Sequence, residues 1–362
     1  MKNLKTIQIL AFLMLIIFEL AITSCSKNDD APVVPVPTVP SVKDIYTCGY
    51  EYNGAGKTVA KYWKNGTATN LTNGAQNAFA LKIAVVNNDI YVAGYEYDGT
   101  KYVAKYWKNG IATILPVTVV GDSYANDIVV VGNDVYVSGS CVVLFGTIPY
   151  TKACYWKNGV INTMLPLQYD SNAYAIAVQG NDVYIAGKQK NAAGIFVAKY
   201  WKNGVETILS NGANNASTAA ILIDGSEIYV AGYEWNGTVN VAKYWKNGFP
   251  INLSDGSKQA YSSSIKKVGN DIYVGGYEMS SSLKLQAKYW KNNTSIPITD
   301  GTKDARVFAI DIFGNDVYLA GAEAQFEDGS FTKAKTWKNN NATTLNEGTF
   351  VAEVYGQCIT IN

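Results

Sequence analysis

Acid–base chemistry in this chain would have to run on carboxylates, because its 362 residues include 29 acids and no histidine. Ser-His-Asp and Cys-His nucleophile systems, His-ligated zinc and imidazole catalysis are thereby excluded. A paired-carboxylate glycosidase needs no imidazole and stays open. No phosphate loop or dinucleotide fingerprint occurs, so no cofactor is expected, and none of the residues suggests a metal. Formal charge is +1, no basic run is present and Arg306 is the sole arginine, which argues against nucleic acid and against an electrostatic membrane patch.

Most of the acids repeat, and what repeats belongs to the frame. Seven copies of Lys-Tyr-Trp-Lys-Asn-Gly or a close variant place Trp63, Trp107, Trp156, Trp201, Trp245, Trp290 and Trp337 44 to 49 residues apart, the period of four-stranded propeller blades. Short β-branched and aromatic runs divided by Gly, Asn and Asp surround each tryptophan and read as strands in hairpins. In the fourth copy Ala175-Ile176-Ala177-Val178 precedes Gly180-Asn181-Asp182, then Val183 to Gly187, then Val197 to Gly204. Gly-Asn and Asn-Gly supply the positive φ that two-residue turns need. Asp89, Asp134, Asp182, Asp271 and Asp316 open strands and are structural on this reading, as are the tryptophans, which pack blade on blade.

The chain ends predict closure. The first copy lacks its opening strand and begins at Asp44-Ile45-Tyr46, while a spare strand follows the seventh, from Val351 to Asn362. In phase, Ile359 and Ile361 fall where Ile176 and Val178 sit in the fourth copy. The expected fold is all-β, a seven-bladed propeller over 43–362 closed by the C-terminal strand in blade one, with no open sheet edge.

Function is expected where the copies differ. The tips between second and third strands carry Tyr52, Tyr97, Trp235 and Phe326 among Asn, Asp and Gly, on the same face as the loops joining blades. Such residues suit stacking on sugar rings. Trp235 is the one tryptophan outside the motif, and Arg306 lies near this face, expected in an ion pair with Glu327 or Asp328.

The string Ala-x-Ala-Ile, Gly-Asn-Asp-x-Tyr-x-Ala-Gly, Ala-Lys-Tyr-Trp-Lys-Asn-Gly resembles the extracellular HAF-type repeat, which implies a secreted β-propeller and assigns no activity. The sialidase Asp-box and the WD40 signature are absent. At the start, Lys2 and Lys5 precede an apolar stretch too short to span a bilayer. Ile22-Thr23-Ser24-Cys25 resembles a lipobox, although Glu19 departs from the pattern. That resemblance implies a leader over 1–24, lipidation of Cys25 and a spacer over 25–42. Ser26-Lys27-Asn28-Asp29-Asp30 resembles the export tag of Bacteroidota surface lipoproteins. Pro32, Pro35, Pro37 and Pro40 make the spacer semi-rigid, about 3.1 Å per residue. The expected protein is a binding module lipid-anchored at the outer membrane or cell surface, taking a glycan or another envelope protein. The alternative is a carboxylate-dependent glycan hydrolase or lyase.

Four cysteines remain, and the repeats suggest how they pair. Counting from the strand-opening Asp, small residues face each other, as in Ala175/Ala186 and Ala220/Ala231; in blade one the same count gives Cys48 and Cys358. Five copies carry Glu on the second strand (Glu51, Glu96, Glu234, Glu278, Glu323) and Lys on the third (Lys61, Lys105, Lys243, Lys288, Lys335), which suggests cross-strand ion pairs. Blade three replaces both at once, by Cys141 and Cys154. Two disulfides are expected, Cys48–Cys358 and Cys141–Cys154.

Overall fold

The computed structural model describes the chain from 42 to 361, apart from 118–120, 165, 167, 327–331 and 347–350, with backbone alone at 42, 43 and 356–361. The leader, Cys25, the spacer up to 41, Glu327 and Asp328 lie outside the described residues.

Seven four-stranded antiparallel sheets follow one another, each a blade. Blade four comprises Ser171–Gln179, Asp182–Lys190, Phe196–Lys202 and Val205–Ile208. Its turns have the chemistry expected: Gly180 sits at φ 59°, and Asn203 and Gly204 at 50° and 84°. The turn asparagine also clamps the hairpin. Asn203 Oδ1 accepts from Val183 N at 2.9 Å, and its Nδ2 donates to Asp182 Oδ1 at 2.7 Å. Lys202 reaches the other Asp182 oxygen at 2.7 Å and lies over the Tyr184 ring. The pattern recurs around Asp44, Asp89, Asp134, Asp271 and Asp316, with Glu227 in blade five. The strand-opening acids are structural.

The third-strand tryptophans close the ring. Each is at most 2 % exposed, and each packs on the blade before it. Trp201 of blade four meets Tyr136, Ala153 and Met164 of blade three, and Trp245 of blade five meets Ala198, Tyr200 and Leu209 of blade four. The seventh such cluster sets Trp63 of blade one against Ala320 and Ala334 of blade seven, together with Ala352 and Val354. Those last two belong to Ala352–Ile361, which pairs antiparallel with Val42–Tyr52. The C-terminal strand completes blade one, and the propeller is closed.

Register in six blades is as the turn count predicts, with Ala175 opposite Ala186 and Ala220 opposite Ala231. Blade one differs by two residues. Cys48 faces Gly356 rather than Cys358, Cys358 faces Tyr46, and Gln357 rather than Ile359 takes the place of Ile176. The reason is that no turn joins these strands, so nothing local sets their phase. The fully buried Ala352 and Val354 set it instead, by filling the Trp63 cluster. A two-residue shift keeps the alternation of the strand in phase.

All five expected Glu–Lys pairs form, with Glu96–Lys105 at 2.6 Å and Glu234–Lys243 at 2.5 Å. The pairing is diagonal: Glu51 faces Val59, and Lys61 is two residues further on. In blade four Lys199 donates to Gln189 Oε1 at 2.8 Å.

Every blade also has a bulge in its innermost strand, between Ala173 and Ala175 in blade four and between Thr218 and Ala220 in blade five. The bulge presses a backbone carbonyl against a glycine of the second strand. A Cβ on Gly187 would lie 1.9 Å from Asn172 O and 3.0 Å from Trp201 Cζ3. Gly187→Ala should therefore lower stability by about 3 kcal/mol, the upper end of overpacking costs. Gly194→Ala, at φ 79° with nothing within 4 Å, should cost about 1–2 kcal/mol of left-handed strain alone. Urea titrations rank the two; a Gly187 variant as stable as wild type would mean the bulge is not held this tightly.

Candidate functional site

The bulge has a consequence for the inside of the ring. It leaves one residue per blade out of the sheet ladder and re-aims its side chain. Those residues are Leu81, Asn126, Tyr174, Ala219, Ser263, Phe308 and, in the C-terminal strand, Tyr355, and all of them line a central cavity of about 720 Å³. They differ chemically from blade to blade, although they sit at one repeat position. That disagreement inside an otherwise regular strand was the available sequence signal, and attention to the tips alone misses it.

The acids of the cavity are engaged. Asp127 lies 3.9 Å from Lys82 and accepts from Ile128 N at 2.8 Å and Ile176 N at 3.0 Å, tying blades two, three and four together. Burial pushes its carboxyl up, against the pull of Lys82. Asp311 pairs with Lys266 at 3.3 Å, joining blades six and seven. Among the described residues no group of three acids or thiols could hold a metal ion.

At the end of the cavity nearest the blade-joining loops, aromatic rings touch in series. The arc runs Tyr124, Tyr95, Phe79, Tyr50, Tyr355, Phe308, Tyr277, Tyr261, Tyr233, with successive centroids 4.7 to 6.4 Å apart. It passes through blades three, two, one, seven, six and five. Tyr50 and Tyr355 both donate to Glu353, at 3.2 and 2.5 Å. Burial, then the Glu353 charge, pushes both phenols above their ordinary range, so they remain donors. The arc breaks only at blade four. Around it Ser140 of blade three, Asn172 and Lys188 of blade four and Ser217 of blade five stand where most other blades have rings, and Asn172 Nδ2 donates to Ser140 Oγ at 3.2 Å.

The tips and the blade-joining loops do share this face. Asn53 Nδ2 donates to Gly74 O at 2.9 Å, Asn191 to Gly212 O at 3.1 Å, and Asn236 to Gly256 O at 2.9 Å. The sequence-predicted residues, however, are spread round the rim and not gathered. Tyr52 stands edge-on to Tyr50, Tyr97 stands edge-on to Tyr102, and Phe326 is exposed. Arg306 places its guanidinium 6.0 Å from the centre of the Tyr277 ring. Trp235 is half-buried and lines a cleft of about 350 Å³ between blades four and five, with Lys188, Phe196, Asn215, Tyr233 and Asn240.

Cys141 and Cys154 are both fully buried free thiols, and the Cys154 thiol donates a hydrogen bond to Cys141. Cys141 faces Lys152 and Cys154 faces Gly139, the same diagonal that joins Glu to Lys in other blades. Burial pushes the Lys152 ammonium down to about 8.

No family model and no curated protein matches this chain. Among solved structures it is similar to a puromycin-hydrolysing peptidase of Mycobacterium tuberculosis, at 11% identity and TM-score 0.53, over 85% of this chain and 53% of that one. It is similar also to the acylaminoacyl peptidase of Pyrococcus horikoshii, at 9% identity and TM-score 0.52, over 85% and 52%. The β-propeller domain of the Trilobed protease from Pyrococcus furiosus aligns at 11% identity and TM-score 0.48, over 85% of this chain and 96% of that domain. The chain spans about half the length of the first two. At such identities the likeness is one of fold.

Proposed function

We propose that this protein is a carbohydrate-binding module of the cell envelope, anchored by lipid on Cys25 and binding through its loop face. The observation that supports this most is the arc of contiguous rings at the cavity mouth. Aromatic faces match the C–H faces of a pyranose, and the phenols, asparagines and serines between them match its hydroxyls. The anchor rests on the residues of the leader and spacer. The hydrolase reading needs two carboxylates free to act as acid and base or nucleophile. Asp127 and Asp311, the acids lining the described cavity, instead hold lysines and link blades.

A glycan array probed with the full chain tests the proposal. The expected result is binding to a restricted set of glycans, weakened at least about tenfold by Trp235→Ala, as for an aromatic anchor at a binding site. A blank array together with capture of an envelope protein would overturn it in favour of protein recognition. Release of reducing ends from a bound glycan would overturn it in favour of the enzyme.

A further inference from the structure

The break in the aromatic arc coincides with the Trp235 cleft, and one residue belongs to both. Lys188 occupies a repeat position that is tyrosine in four other blades (Tyr50, Tyr95, Tyr233, Tyr277), serine in Ser140 and alanine in Ala322. Its ammonium lies 4.4 Å from the Phe196 ring centre and 5.5 Å from that of Tyr174. Other lysines have acids: Lys199 on the neighbouring strand pairs with Glu206 at 2.6 Å, Lys190 on the same strand with Asp170 at 2.9 Å, and Lys243 and Lys288 of blades five and six with Glu234 and Glu278. Lys188 has no described carboxylate within 4.0 Å, and burial holds its pKa below the usual lysine value. A half-buried cation over two rings with no described carboxylate in reach is incompletely compensated, and an anion entering the cleft would complete it.

The other walls describe what else such an anion should carry. Phe196 and Trp235 offer aromatic surface. Asn215 Oδ1 is taken by Phe196 N at 2.9 Å, which leaves its Nδ2 as a donor. Asn240 Nδ2 is taken by Tyr261 at 2.9 Å, which leaves its Oδ1 as an acceptor. A donor, an acceptor, aromatic walls and one ammonium fit a sugar ring with hydroxyls and a single negative group.

We infer that the cleft between blades four and five selects acidic sugars, whose carboxylate or sulfate meets Lys188 while the ring stacks on Trp235 or Phe196; this rests on the carbohydrate-binding reading above. A neutral sugar in the same cleft would offer the ammonium only hydroxyl oxygens, which replace its lost water without the added strength of a charge-paired hydrogen bond.

The test uses the full chain and an array of neutral oligosaccharides, oligogalacturonates, oligoglucuronates and sulfated galactans. Hits are then titrated calorimetrically beside their neutral counterparts, the methyl ester or the desulfated chain. Wild type should bind acidic members; uronate-only or sulfate-only hits identify which anion is the natural one. Lys188→Gln should weaken the acidic ligand about tenfold to a hundredfold, the range for a charge-assisted hydrogen bond. It should leave the neutral counterpart unchanged, and Lys188→Arg should retain acid binding. Hits confined to neutral glycans, or acid binding indifferent to Lys188→Gln, would overturn this inference and leave the carbohydrate reading standing. An array with no hits at all would remove the carbohydrate reading itself. Should Lys188→Gln fail to fold, wild type is titrated in about 0.5 M salt, where the screening length is roughly half that at about 0.1 M; an acid preference that salt leaves untouched would overturn the charge-based selection, and its loss would uphold it.

Discussion

Trp245→Ala should lower the stability of the propeller by about 3–5 kcal/mol, the cost of emptying a large buried aromatic site. The indole is 1 % exposed and packs between blades five and four on Ala186, Ala198, Tyr200 and Leu209. Its Nε1 has no partner among the described residues, so the loss is of packing and not of a hydrogen bond. Small alanines line the slot, and they cannot collapse into the space left behind. Trp235→Ala should change stability by less than about 0.5 kcal/mol, because a half-exposed tip residue leaves no sealed cavity. Urea denaturation of the two variants separates the roles. Equal midpoints would show that inter-blade packing does not depend on the repeated tryptophan, and a ring sealed by those indoles would be ruled out.

The second large effect concerns the cysteines. We propose that Cys141 bonds Cys154 and that Cys48 bonds Cys358. For the first pair the thiols are already in contact. For the second the relation is one of backbone register: Cys48 faces Gly356, and Cys358 is two residues further on, opposite Tyr46. Cys141, facing Lys152 with Cys154 two residues on, has the same diagonal sense. So have the Glu–Lys pairs, whose side chains meet.

A Cys48–Cys358 bond would staple the chain ends where the ring closes. In the loop-entropy picture a loop of about 100 residues contributes about 4.7 kcal/mol, and this longer one slightly more, whereas the hairpin bond contributes about 3 kcal/mol. Cys358→Ser should therefore cost more stability than Cys154→Ser under oxidising conditions, and the two variants should differ little in reductant. Peptide mapping without reduction reads the connectivity directly. Free thiols at all four positions, or a Cys48–Cys141 bond, would refute the pairing.

Much of this architecture was readable from residue order because its contacts are local or repeated. A two-residue turn fixes the register of the strands it joins, and side chains alternate faces with a period of two. Counting from Asp182 therefore locates Ala175 opposite Ala186 correctly, and the recurring Glu and Lys meet in all five blades that carry them. The strand-opening acids and the motif tryptophans are identified the same way, as residues every blade needs.

Tertiary structure decided what no turn connects. The phase of the C-terminal strand came from burial of Ala352 and Val354 against Trp63, some three hundred residues away in sequence, and it displaced Cys358 by two positions from the turn-based count. The cavity lining came from a bulge, which counting along an ideal strand passes over. The aromatic arc joins residues of six blades that become neighbours only when the ring shuts. The order of residues by itself thus determined the blade, its turns and its copy number, since those depend on hydrogen bonds and side-chain alternation within about forty residues of chain. The loop-face site exists only in the closed ring, because its rings, its break at blade four and the Lys188 cleft are each made by surfaces of different blades brought together.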